Sequence, residues 1–66
     1  MKIKINGKDF ELEASSTLEA ALEKANIKPG GIATALNGVV VPAPMRGKTV
    51  LADNDSIIVI KAFYGG

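Results

Sequence analysis

Gly65 and Gly66 stand last in the sequence, and the chemistry this chain can offer is concentrated there. A glycine pair makes a slender stretch of backbone, and without Cβ atoms it can approach phosphates and catalytic groups closely. Five extended residues, Ala62 to Gly66, reach roughly 15–18 Å, enough to thread a channel into another protein's active site. A terminal carboxylate is inert toward acyl transfer, because oxide is too poor a leaving group. An ATP-using partner that turned it into an acyl-adenylate would make AMP the leaving group. The Gly66 carbonyl carbon would then be open to a sulfur or nitrogen nucleophile. The rest of the chain offers no competing machinery. Cysteine is absent, which excludes disulfides, thiol nucleophiles and thiolate metal sites. Histidine is absent too, removing the commonest general base and the commonest metal ligand. The expectation is a protein that is not an enzyme and binds no cofactor, with ATP used by the partner.

Other residue groupings read as structure. Asp53 and Asp55 lie in a turn-forming cluster with no third ligand nearby, so they are turn formers rather than a metal site. Gly30-Gly31 lacks P-loop or dinucleotide spacing and reads as helix termination. Arg46 and Lys48 read as solvated surface charges, and Met45 as a core filler. Phe63 and Tyr64 either pack on the sheet edge or enter a partner's groove. Eight Lys plus Arg against seven Asp plus Glu leave a net charge of +1. So small a charge offers no field for a polyanion, and no nucleic acid or anionic membrane is expected as a partner. The longest apolar run, Ile57 to Ile60, cannot span a bilayer, and Met1-Lys2-Ile3-Lys4 is unlike a signal peptide; a cytoplasmic location is expected.

The elements that must present the tail follow from local patterns. Met1 to Ile5 alternates apolar and charged residues, the period of a half-buried strand. Asn6-Gly7 is favoured in a two-residue type I′ hairpin turn, after which Phe10 and Leu12 alternate with acids on the returning strand. Lys2 and Lys4 would lie across from those acids. Ser16 and Glu19 have capping-box spacing, and Leu18, Ala21, Leu22 and Ala25 form one apolar stripe on a helix of two to three turns. Asn26 can close that helix in a left-handed cap. Ile32–Leu36 and Val39–Val41 flank a second turn, Asn37-Gly38. Met45–Leu51 reads as irregular, or as one short helical turn plus a brief strand. Asp53–Ser56 forms a turn in which Asn54 takes positive φ, and Ile57–Ala62 is the last strand. Two hairpins around one helix, with the last strand near the first, make an α+β fold of the β-grasp (ubiquitin-like) type. It has a mixed four- to five-stranded sheet on one helix, with residues 1–62 as the domain and 63–66 as a flexible tail.

The last strand does not alternate. One helix covers one face of a sheet, so the other face should be polar. With Ile57 and Val59 inward, Ile58 and Ile60 lie on the open face, with one of Val39–Val41 beside them. Burying an isoleucine is worth about 1.5–3 kcal/mol, so two left in water point to a patch that a partner covers, the alternative being a central strand that takes extra β-branched residues for their propensity alone.

The blocks Ala35-Leu36-Asn37-Gly38, Val41-Pro42, Thr49-Val50-Leu51, Asp53-Asn54-Asp55-Ser56-Ile57 and Gly65-Gly66, at these spacings, resemble the ThiS family. These are ubiquitin-like sulfur carriers of thiamin biosynthesis, and the resemblance covers essentially the whole chain. It implies that an adenylating enzyme of the ubiquitin-activating type (ThiF-like) activates Gly66. It implies that a persulfide sulfur donor replaces AMP to leave a thiocarboxylate, and that thiazole synthase (ThiG-like) takes the sulfur. In that frame Gly66 is the adenylation and thiocarboxylate site, Gly65, Tyr64 and Phe63 are the tail that enters partner channels, and Ile58 and Ile60 are the docking patch. The chain departs from the family pattern at Asn54, where Gly is frequent, at Ala43-Pro44-Met45, which delays the first cation to Arg46, and at the bulky Tyr64. These departures leave open a related carrier for molybdopterin synthesis or tRNA thiolation. Outside sulfur transfer, the alternatives are a ubiquitin-like protein modifier and a plain interaction module.

Overall fold

A computed structural model describes residues 1–61. The tail residues Phe63, Tyr64, Gly65 and Gly66, and the boundary drawn after residue 62, lie outside the described residues. Strands β1 (Lys2–Ile5) and β2 (Lys8–Glu11) form the first hairpin, followed by helix α1 (Leu18–Lys24). Strands β3 (Ile32–Leu36) and β4 (Val39–Val41) form the second hairpin; a 3₁₀ helix (Ala43–Lys48) and strand β5 (Ser56–Lys61) complete the order. The sheet runs β2-β1-β5-β3-β4, so the last strand is the central one. It pairs parallel to β1 (Ile5 beside Ile57) and antiparallel to β3 from Leu36↔Ile57 to Ile32↔Lys61.

Both Asn-Gly turns form as their chemistry requires, with φ of 51° and 82° at Asn6 and Gly7 and 49° and 85° at Asn37 and Gly38. Lys2 and Lys4 lie opposite Glu11 and Asp9. Asn54 takes φ 69° in the turn before β5. Asp55 braces that turn, whereas Asp53 ties it to β1. The Asp53 carboxylate accepts from the Lys2 N–H at 2.7 Å, and Asp55 accepts from the Ala52 N–H at 2.7 Å.

The helix has seven residues, about two turns, and its cap is displaced by one position. The Ser16 hydroxyl turns back, away from the helix, and donates to the Glu13 carbonyl at 2.7 Å. Thr17 is the N-cap instead, its Oγ1 accepting from the Ala20 N–H at 3.2 Å. The Leu18 N–H, an orphan donor of the first turn, donates to the Thr49 carbonyl at 2.9 Å. At the other end Asn26, at φ 60°, closes a Schellman motif: its N–H donates to Glu23 and the Ile27 N–H to Leu22. Thr17→Ala is expected to lower the unfolding free energy by about 1 kcal/mol, and Ser16→Ala by less. Urea denaturation checks this; the reverse order would return the cap to Ser16.

The core lies between α1 and the sheet: Ile3, Ile5 and Ile57 from the strands meet Leu18 and Ala21 of the helix, with Val41 and Leu51 completing it. The brief strand expected near Leu51 reduces to a single bridge, Thr17↔Val50. In the same region two expectations fail. Met45 is 46% exposed rather than in the core, and Arg46 is 4% exposed rather than solvated. The 3₁₀ helix presents one face to α1 and β3, and Arg46, not Met45, occupies it.

Candidate functional site

Strand β5 positions the site. Its parity is the expected one: Ile57 is buried and Val59 half-buried against the helix, while Ile58 is 43% exposed and Ile60 61% exposed on the opposite face. Register fixes their neighbours. Ile58 lies opposite Ala35, which lies opposite Val40, itself 71% exposed; Ile60 lies opposite Ala33. Paired residues share a face, and strands sit about 4.8 Å apart, so branched side chains on β5 and β4 flank a strip of alanine on β3. The open face is therefore apolar over β5, β3 and β4. Over β1 and β2 it is polar, with the pairs Lys2–Glu11 and Lys4–Asp9 of opposite sign.

Where β5 ends, at Lys61, it lies opposite Ile32, the first residue of β3. Lys28 and Gly30 of the loop before β3 border the same shallow depression as Lys61.

Two features that hold β5 and its surroundings went unread in the sequence. Each turn asparagine also grips β5 by its side chain. The Asn6 amide donates to the Val59 carbonyl at 3.2 Å and accepts from the Val59 N–H at 2.8 Å. Asn37 Oδ1 accepts from the Ser56 N–H at 2.9 Å, and its Nδ2 donates to the Asp55 carboxylate at 2.9 Å. No local signal separates this role from the turn role, since Asn-Gly satisfies both. The second feature is Arg46. Its guanidinium donates to Ile32 O at 2.8 Å, to Pro29 O at 3.1 Å and to Thr34 Oγ1 at 3.2 Å. Thr34 in turn donates to Val41 O at 2.9 Å. Arg46 thus ties the loop before β3 to β3 itself, and through Thr34 to β4, on the helix side of the sheet. Among the described residues no group of acidic side chains is arranged to hold a metal ion, and no helix is long and apolar enough to cross a membrane.

The comparisons with known proteins agree with this architecture. The sequence profile of the ThiS family matches residues 3–66, a span that includes both terminal glycines. The chain is 27% identical to the sulfur carrier protein ThiS of Escherichia coli, each aligned over its whole length. It is 36% identical over all 66 residues to a segment of a thiazole synthase from Magnetococcus marinus, and spans about a fifth of that protein's length (20%). In three dimensions it is similar to the crystal structure of a thiamine biosynthesis protein (ThiS) from Geobacter metallireducens. The TM-score is 0.80 at 23% identity, over 100% of this chain and 99% of that one. The solution structure of a thiamine biosynthesis protein from the same organism gives a TM-score of 0.74 at 22% identity, over 100% and 88%. The β-grasp fold is shared with both Geobacter structures.

Proposed function

The chain belongs to the ThiS family, the sulfur-carrier family of thiamin biosynthesis, and from that premise we propose that Gly66 is the atom-carrying end of a protein-borne sulfur shuttle. The observation that carries this reading is the extent of the family match, which runs through Gly65 and Gly66. In the first step a Gly66 carboxylate oxygen attacks the α-phosphorus of ATP on a ThiF-like adenylating enzyme, and pyrophosphate leaves. The terminal sulfur of a persulfide donor then attacks the acyl carbon and displaces AMP. A thiol cleaves the resulting S–S bond, so that one disulfide forms on the donor side and the thiocarboxylate remains on Gly66. The chain itself supplies no acid, base or cofactor; its part is the geometry of an unbranched terminus.

A thiazole synthase (ThiG-like) is the proposed recipient of the sulfur. The Magnetococcus marinus relative supports this, because a protein of that name contains a segment similar to this entire chain. The open face of Ile58, Ile60 and Val40 is the proposed docking surface for these partners, beside the strand that leads into the tail. Cytoplasmic chemistry of this kind agrees with the composition.

Incubation with ATP, an adenylating enzyme and a persulfide donor, followed by intact-mass measurement, tests the proposal. The expected result is a mass gain equal to the replacement of one oxygen by sulfur, located at Gly66. An unchanged mass with active enzymes overturns it, and conjugates to lysine would point to a protein modifier instead. The docking surface has its own test. Ile60→Lys is expected to change stability by no more than about 0.5 kcal/mol, because the residue is exposed. Binding to the adenylating enzyme, measured by calorimetry, should weaken by about tenfold or more if Ile60 lies within the contact.

A further inference from the structure

The sheet's grip on β5 is uneven along its two edges. On one edge β3 pairs with it as far as Lys61. On the other, β1 ends at Ile5, and its last backbone pairing, Asn6 N–H to Ile57 O at 2.8 Å, is made where the chain turns away toward β2. The next backbone groups of β5 on that edge belong to Val59. They are met by the side chain of Asn6, which accepts from the Val59 N–H at 2.8 Å and donates to the Val59 carbonyl at 3.2 Å. A primary amide carries one acceptor and one donor side by side, the same pair a peptide presents, so Asn6 adds one rung to a ladder whose strand has already left. Only one orientation of the amide satisfies both partners. Glycine or aspartate would suit φ 51° and the turn, but neither can make both bonds.

Resting on the sulfur-carrier reading above, we propose that Asn6 is a positioning residue for the reacting terminus. By bracketing Val59 it holds the β1 edge of β5 beyond the end of β1, while β3 holds the other edge to Lys61, and so it sets the direction from which the chain departs toward Gly66. A strand end held on one edge only can twist about that edge, and a tail that starts in the wrong direction meets a partner's active site less often in a productive approach.

The test uses the full chain carrying Asn6→Gly, which keeps the turn and removes both bonds, and Asn6→Asp, which keeps the acceptor and removes the donor. Hydrogen exchange on the wild type and both variants should show protection at the Val59 amide falling about tenfold in Asn6→Gly, with Ile3 and Ile57 unchanged and Asn6→Asp intermediate. In adenylation assays, KM for the carrier should rise roughly two- to fivefold in Asn6→Gly with kcat retained, and Asn6→Asp should recover part of the loss. A merely structural role would lower protection across the whole sheet and would not divide KM from kcat. Unchanged Val59 protection in Asn6→Gly overturns the bracket, and lost protection with an unchanged KM overturns the positioning role. A wild-type chain that no adenylating enzyme accepts overturns the sulfur-carrier reading instead, while the exchange rates still decide the bracket.

Discussion

Replacing Arg46 by alanine is expected to lower the unfolding free energy by about 3–5 kcal/mol, a large share of what a chain of this size holds. Arg46 is almost wholly buried and donates to Thr34 Oγ1, Pro29 O and Ile32 O. Among the described residues it has no carboxylate within ion-pair distance; the pair recorded there is Met1 with Glu11. The three oxygens solvate the cation in place of water. A buried ion pair can often be replaced by apolar residues at no loss, but here the acceptors would remain after the donor was gone. Thr34 Oγ1, the buried acceptor of the three, costs about 1–3 kcal/mol when left without a donor. The part-buried Pro29 and Ile32 carbonyls cost less, and the lost packing of the side-chain stem adds to that. Arg46→Met keeps the stem and isolates the hydrogen-bonding part. Arg46→Lys offers a single point of charge that cannot span three acceptors, so it should fall between wild type and alanine. Chemical denaturation of the three variants measures this. A loss below about 1 kcal/mol for alanine would show that water replaces the guanidinium without difficulty.

The second large effect concerns the terminus. Deleting Gly66 leaves a chain that still ends in a glycine carboxylate, but one residue short, a displacement of about 3.5 Å for extended backbone. Misplacing a reacting atom by even 1 Å can cost about 100-fold, so sulfur loading of the truncated chain should fall by at least that factor. The denaturation midpoint should not move, because the core is built from residues between Ile3 and Ile57. Gly65→Val keeps the length and adds a branched Cβ where the proposal requires a thin backbone, and it should impair loading while leaving Gly66 in place. Loading rates from intact-mass measurements decide both. Wild-type loading of the shortened chain would remove Gly66 from the mechanism.

The site was unevenly legible in the sequence. Ile58 and Ile60 could be assigned to the open face because strand parity is a local property: once Ile57 is inward, its neighbours along the chain must be outward. The single helix then made the second face a surface, and the structure leaves both residues exposed. Helix capping was legible only to within one residue. Ser16 and Thr17 both carry a suitable hydroxyl, and the structure places Thr17 at the cap while Ser16 faces back toward Glu13. Met45 and Arg46 were assigned to the wrong environments. Hydrophobicity favours burying methionine and exposing arginine, and a short 3₁₀ helix has too few residues for a periodic pattern to overrule that preference.

The strands, the two Asn-Gly turns and the apolar stripe of α1 were written in short stretches of residues, because φ preferences and the periods of two and 3.6 act over a few positions. The roles of Arg46 and Asn6 were not. Arg46 finds its partners 12, 14 and 17 positions away, and Asn6 finds Val59 across 53. Whether a polar side chain is buried or exposed, and what it holds, depends on which backbone oxygens and N–H groups the assembled sheet leaves unpaired, and those come into being only when distant strands meet.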